Sequence, residues 1–130
     1  MSQGLKKIVL IDDDSTTNFL NKTIIQKAGL VDEIMVFEEA EEALTYFKSK
    51  NSKDPFLVLL DVNMPIMNGW EFLDEYDKIK NDLNAFIVML TSSIDPADKQ
   101  KAESFNYVVE YQSKPLSNST INKLVETYFK

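Results

Sequence analysis

The stretch Pro55-Phe56-Leu57-Val58-Leu59-Leu60-Asp61-Val62-Asn63-Met64-Pro65-Ile66-Met67-Asn68-Gly69 decides the fold. Asp54-Pro55 breaks the chain. Five consecutive apolar residues follow with no polar alternation, the pattern of a strand buried on both faces of a parallel sheet. The run stops at Asp61. Asn63-Met64-Pro65 and Asn68-Gly69 then form turns, and Phe72, Leu73, Tyr76 and Ile79 recur at helical spacing as the inward face of the next helix. In isolation Asn68-Gly69 would suggest a hairpin, but the helical period that follows argues against one.

The same unit repeats to either side. Ile8–Ile11 is a second continuous apolar run, and it also stops at carboxylates, Asp12-Asp13-Asp14. Asp14 or Ser15 can cap a helix whose Leu20, Ile24 and Ala28 form an i, i+4 row ended by Gly29. Ile34–Phe37 is a short strand, followed by a helix with Ala40, Ala43, Leu44 and Phe47 inward. Ala85–Leu90 is a further apolar run that ends at Thr91-Ser92-Ser93. Asp95-Pro96 reads as an N-cap followed by proline at the first helical position. Tyr107–Tyr111 is a weaker strand, Lys114-Pro115 follows it, and Ile121, Leu124, Val125 and Tyr128 complete a last helix. Five strand–helix units in this order imply an α/β chain with a parallel sheet covered on both faces.

Composition narrows the chemistry. The 130 residues suit one domain. A formal net charge of −7 argues against a nucleic-acid surface, which needs clustered cations. The chain has no cysteine and no histidine, so thiolate chemistry, histidine-based triads and zinc sites built on those ligands are excluded. The basic start Met1–Lys7 resembles a signal-peptide n-region, but the apolar run after it is too short for secretion. No apolar stretch is long enough to span a membrane. A cytoplasmic protein is the default expectation.

The remaining polar candidates gather at one edge. Carboxyl ends of parallel strands point the same way, and ligands bind in the crevice outside them. Asp12, Asp13, Asp61, Thr91 and Lys114 all lie at or just past such ends. Taken singly, each also reads as a helix cap, a loop aspartate or a surface lysine. Together they place three carboxylates, a hydroxyl and an ammonium at one site. Converging carboxylates repel unless a cation joins them, and Mg²⁺ suits oxygen ligands of this kind. A carboxylate there can attack phosphorus to form an acyl phosphate.

In order and spacing, Ile8–Ser15, Leu59–Gly69, Val88–Ser92 and Ser113-Lys114-Pro115 resemble the motifs of the response-regulator receiver (CheY-like) family over essentially the whole chain. The D-x-x-M-P-x-M-[DN]-G segment at 61–69 is the most specific. The resemblance implies a flavodoxin-like (βα)₅ doubly wound parallel sheet of strand order 2-1-3-4-5, a three-layer α/β/α fold with the site at the switch between the first and third strands. It implies Asp61 as phosphoacceptor, and a Mg²⁺ site of Asp13, Asp12 (largely through metal-bound water), Asp61 and the Asn63 carbonyl. It further implies Thr91 and Lys114 as contacts to the phosphoryl group, Tyr111 as an aromatic switch, and a cis bond before Pro115.

Residues 1–130 are expected to form a single receiver domain with no output domain. A histidine kinase or histidine phosphotransfer protein is the expected donor, and a monomer or weak dimer the expected state, with no nucleic acid or membrane partner. The domain would catalyse only its own phosphorylation and dephosphorylation. Two alternatives stand beside this: a pseudo-receiver that is never phosphorylated, and a Mg²⁺ phosphatase using Asp12 and Asp14 as a D-x-D pair. The chain departs from the family at Ser104–Val109, where many members carry Gly-Ala, and at Asn68, where Asp is common. Glu38-Glu39 and Glu41-Glu42 read as a solvated helix face, and Trp70 as partial core.

Overall fold

The computed structural model describes residues 5–49, 54–79 and 83–129. Residues 1–4, which open the basic leader, lie outside them. Ten elements alternate: β1 (Lys7–Ile11), α1 (Ser15–Ala28), β2 (Glu33–Phe37), α2 (Ala40–Lys48), β3 (Phe56–Asp61), α3 (Gly69–Asp77), β4 (Ala85–Thr91), α4 (Pro96–Ala102), β5 (Val108–Ser113) and α5 (Asn118–Tyr128). The strands form one parallel sheet of order β2-β1-β3-β4-β5. This is the flavodoxin-like architecture that the resemblance implies.

Strand periodicity divides the core in two. Ile8, Leu10, Leu57, Leu59, Val88 and Leu90 pack with Ile25 of α1 and with Ile121, Leu124 and Val125 of α5. Val9, Ile11, Val58, Leu60, Ile87 and Met89 point the other way, onto Ala43, Leu44 and Phe47 of α2 and Phe72, Leu73 and Tyr76 of α3. Because both faces are covered, every residue of β3 is buried, which is why its sequence shows no polar alternation. The helix boundaries follow their caps. Asn68 and Glu71 make a reciprocal capping box for α3, Asp95 accepts from the Ala97 amide ahead of α4, and Gly29 closes α1 at φ 64°. Asn68-Gly69 is thus a helix start, not a hairpin. Ile79 lies just past α3, half-buried against the core.

Two expectations are corrected. The Leu20, Ile24 and Ala28 row is only partly inward: Leu20 is 55% exposed, Ile24 is half-buried against the core, and the buried residues of α1 are Asn18, Asn21 and Ile25. The cause is polar. Asn18 Nδ2 donates to the Asp12 carbonyl at 2.8 Å, so this face of the helix turns toward the strand end. The last strand runs later than Tyr107–Tyr111. Its register against β4 jumps between Ile87↔Val108 and Val88↔Glu110, so Val109 is the extra residue of a bulge and the ladder continues to Ser113. The atypical segment before it forms tight turns, with the Ser104, Phe105 and Val108 amides bonded to the Lys101, Ala102 and Phe105 carbonyls.

Candidate functional site

Sheet register assembles the site. Ile11 pairs with Leu60, so Asp12 and Asp61 emerge side by side. Asp61 pairs with Leu90, which puts Thr91 one step beyond, and Thr91 pairs with Ser113, which puts Lys114 one step beyond that. The Lys114 amide donates to the Thr91 carbonyl at 2.7 Å, and the Lys114–Pro115 bond is cis.

The side chains converge. Lys114 Nζ lies 2.9 Å from Asp12 Oδ2 and 3.1 Å from Asp61 Oδ1. Carboxylate oxygens of Asp12, Asp13 and Asp61 all fall within 4.8 Å of one another. Asp12 and Asp61 are each 4% exposed, whereas Asp13 faces solvent. Asp12 is held on several sides: its amide donates to the Phe37 carbonyl at 3.1 Å, and its Oδ1 accepts from the Asp14 amide at 2.9 Å. Asp61 accepts a long bond from the Asn63 amide at 3.4 Å. The buried Thr91 hydroxyl donates to the Ser93 carbonyl at 3.1 Å.

Electrostatics record the crowding. Burial, then the neighbouring Asp12 charge, pushes the Asp61 carboxyl up to about 6, against the opposing pull of Lys114. Burial works against the Lys114 ammonium, yet bonds to Asp12 and Asp61 outweigh it and keep its pKa above the ordinary value. One ammonium thus faces two buried carboxylates and a third at the rim. This hard, oxygen-only set with surplus negative charge fits a divalent cation of the Mg²⁺ type.

Backbone strain and close approach mark the loop after Asp61. Ile66 adopts φ 68° while 84% exposed, a left-handed conformation unusual for a β-branched residue. At Gly69 a Cβ would sit 2.9 Å from the Asp61 carbonyl oxygen and 3.0 Å from Val62 Cα, so only glycine fits there.

Tyr111 is half-buried, and its buried hydroxyl lies beside the Asp95 backbone and the Thr91 side chain, with no hydrogen bond of ideal geometry to either. Burial raises its pKa most and Asp98 adds to this, while the Asp95 backbone and the Thr91 side chain oppose. The hydroxyl therefore faces the β4–α4 loop. Asp14 does not join the cluster: it caps α1, accepting from the Thr16 and Thr17 amides and the Thr17 hydroxyl. Asn18, which anchors the Asp12 carbonyl, is a site-supporting residue that sequence reading missed. Its only signal was an amide at a position helical geometry turns inward.

A doubly wound parallel sheet whose carboxyl edge joins three aspartates, a threonine and a lysine is the arrangement of a class of signalling receiver domains. The chain belongs to the response regulator receiver domain family, whose model matches residues 8–126. A solved two-component response regulator from Cytophaga hutchinsonii is 34% identical, with a TM-score of 0.82 over 95% of this chain and 96% of that one. The probable methanogenesis regulatory protein FilR2 of Methanothrix harundinacea is 28% identical over 92% of this chain and 78% of its own length. The chemotaxis protein CheY of Halobacterium salinarum is 28% identical over 89% and 90%. Several other curated relatives are longer, and the chain spans well under half of them. The chain is thus a receiver domain of two-component signal transduction. Among the described residues no helix is long and apolar enough to cross a membrane.

Proposed function

We propose that Asp61 accepts a phosphoryl group from a phosphohistidine of a histidine kinase or histidine phosphotransfer protein. The observation that carries this reading is the Lys114 ammonium held between Asp12 and Asp61 at 2.9 and 3.1 Å, with Asp13 in the same cluster. As the Asp61 carboxylate oxygen bonds phosphorus, the donor's N–P bond breaks and its electron pair returns to the imidazole. Asp12, Asp13, Asp61 and the Asn63 carbonyl would hold Mg²⁺. When bound, that ion neutralises charge on the phosphoryl oxygens. Lys114 would shift from bridging carboxylates to contacting the phosphoryl group, and Thr91 would exchange its bond to Ser93 for one to the same group.

Movement of Thr91 toward Asp61 would change the space facing the Tyr111 hydroxyl, biasing two placements of that ring. The surface of α4, β5 and α5 would then differ for a downstream protein. The reading is of one cytoplasmic receiver domain, monomeric or weakly dimeric, that catalyses only its own phosphorylation and dephosphorylation. Asp14 caps α1, which supports the receiver reading over the D-x-D phosphatase alternative.

Intact-protein mass spectrometry after incubation with acetyl phosphate tests the proposal. A gain of one phosphoryl group that needs Mg²⁺ and is absent in Asp61→Asn is the expected outcome. No adduct under rapid sampling overturns it in favour of the pseudo-receiver.

A further inference from the structure

Trp70, the second residue of α3, stacks its indole on the Tyr111 ring of β5, with 6.5 Å between centroids and 25° between planes. Lys101, near the end of α4, places its ammonium 4.7 Å from the indole centroid. One side chain therefore ties α3, α4 and β5 together. The residue before it is Gly69, whose amide donates to the Val62 carbonyl at 2.9 Å and whose missing Cβ leaves room for the Asp61 carbonyl. The start of α3 is thus seated directly on the backbone of Asp61 and Val62.

The Tyr111 ring is held by contacts separate from those of its hydroxyl. Stacked aromatic pairs and cation–π contacts are attractive beyond the area they bury.

We propose that Trp70 and Lys101 are positioning residues for Tyr111, clamping its ring with the hydroxyl toward the β4–α4 loop and linking it to the Asp61 backbone through Gly69. This contact is separate from the one at Thr91. Tyr111 is then governed from two sides: Thr91 sets the space its hydroxyl meets, and Trp70 sets the orientation of its ring. The consequence for signalling rests on the phosphorylation-switch reading, whereas the clamp itself does not.

The test uses the unphosphorylated full chain in solution. NMR contacts between indole and Tyr111 ring protons, with the Tyr111 χ1 couplings, report which rotamer is populated. In the wild type one rotamer dominates and touches the indole. Trp70→Ala raises the ratio of the other rotamer about two- to twelvefold, the range set by aromatic-pair energies. Trp70→Phe restores most of the original ratio, and Lys101→Met raises it about two- to fivefold. Because Lys101 is an exposed side chain, that variant serves if Trp70→Ala fails to fold.

An unchanged Tyr111 rotamer in either folded variant overturns the proposal. Indole emission on adding acetyl phosphate with Mg²⁺ supplies the link to signalling. It changes in the wild type and not in Tyr111→Ala if Trp70 follows the ring, and an equal change in both overturns that link. Failure of phosphorylation in the mass measurement removes the switch reading alone, since the rotamer comparison still decides the clamp.

Discussion

β3 and β5 belong to one sheet and point the same way, yet they are built for opposite tasks. β3 lies between β1 and β4 with every residue buried, and it ends by presenting Asp61. β5 is an edge strand, half-buried along most of its length, bulged at Val109, and carries Tyr111. Covering on both faces removes alternatives, so Asp61 is held in one place. An edge strand has fewer neighbours to satisfy, so a side chain there can hold two placements at small cost. The proposed phosphorylation would thus sit on the rigid centre and the proposed conformational response on the adaptable edge.

Large-to-small substitution separates the two strands most sharply. Leu59→Ala is expected to cost about 2–5 kcal/mol, because a cavity in the centre cannot collapse. Val109→Ala should cost about 1 kcal/mol or less, since part of its surface already meets water. Urea unfolding midpoints check this, and equal losses at the two sites would break the comparison.

Gly69→Ala comes next, at about 1–3 kcal/mol, because the new methyl meets backbone atoms of Asp61 and Val62 that cannot swing aside. Phosphoryl acceptance should fall with it. Unchanged stability would mean that the seat of α3 on β3 yields easily.

Asp61→Asn should stabilise the protein at neutral pH by something on the order of 1 kcal/mol, after allowance for solvent screening. The sign follows from the raised pKa. Between its ordinary 3.8 and about 6 the folded state binds more protons at Asp61 than the unfolded chain does. Native stability therefore falls as pH rises through that window. The Asn variant lacks this loss, so its advantage is full above pH 6 and vanishes below about 3.8. Thermal unfolding at pH 7.5 and pH 4 measures it, and an advantage that grew on acidification would contradict the account.

Tyr111→Phe should have the smallest effect, within about 1 kcal/mol, because it keeps the stack and deletes a hydroxyl with no hydrogen bond of ideal geometry. A large loss would show that the hydroxyl is bonded after all and that the edge is less adaptable than β3 versus β5 implies.

Legibility followed the same division. Phe56–Leu60, Ile8–Ile11 and Ala85–Leu90 announced themselves because burial on both faces demands unbroken apolar runs. The residues that end those runs were legible for the same reason: a carboxylate or hydroxyl at that point must lie at the sheet's carboxyl edge. The face of α1 was misread, since a row of Leu20, Ile24 and Ala28 looks like a core stripe until Asn18 is seen bonded to the Asp12 carbonyl. β5 was placed too early because a bulge leaves no signature in an apolar pattern already interrupted by Glu110. The sequence offered Asp14 either as a helix cap or as part of a D-x-D pair, and its bonds to Thr16 and Thr17 show it as the cap.

The amino-acid sequence by itself determined the alternation of strands and helices, the end of the sheet where polar residues collect, and, through its receiver-like motifs, the family and the expected strand order. These depend on local periodicity, turn chemistry and short motifs, all of which are written in neighbouring residues. Tertiary structure alone decided that Lys114 bridges Asp12 and Asp61, that Asn18 faces inward, and that Trp70 lies on Tyr111 beneath Lys101. Each of those contacts joins side chains from separate elements. Their distances are set by sheet register and helix packing, quantities that come into being only when the whole chain folds.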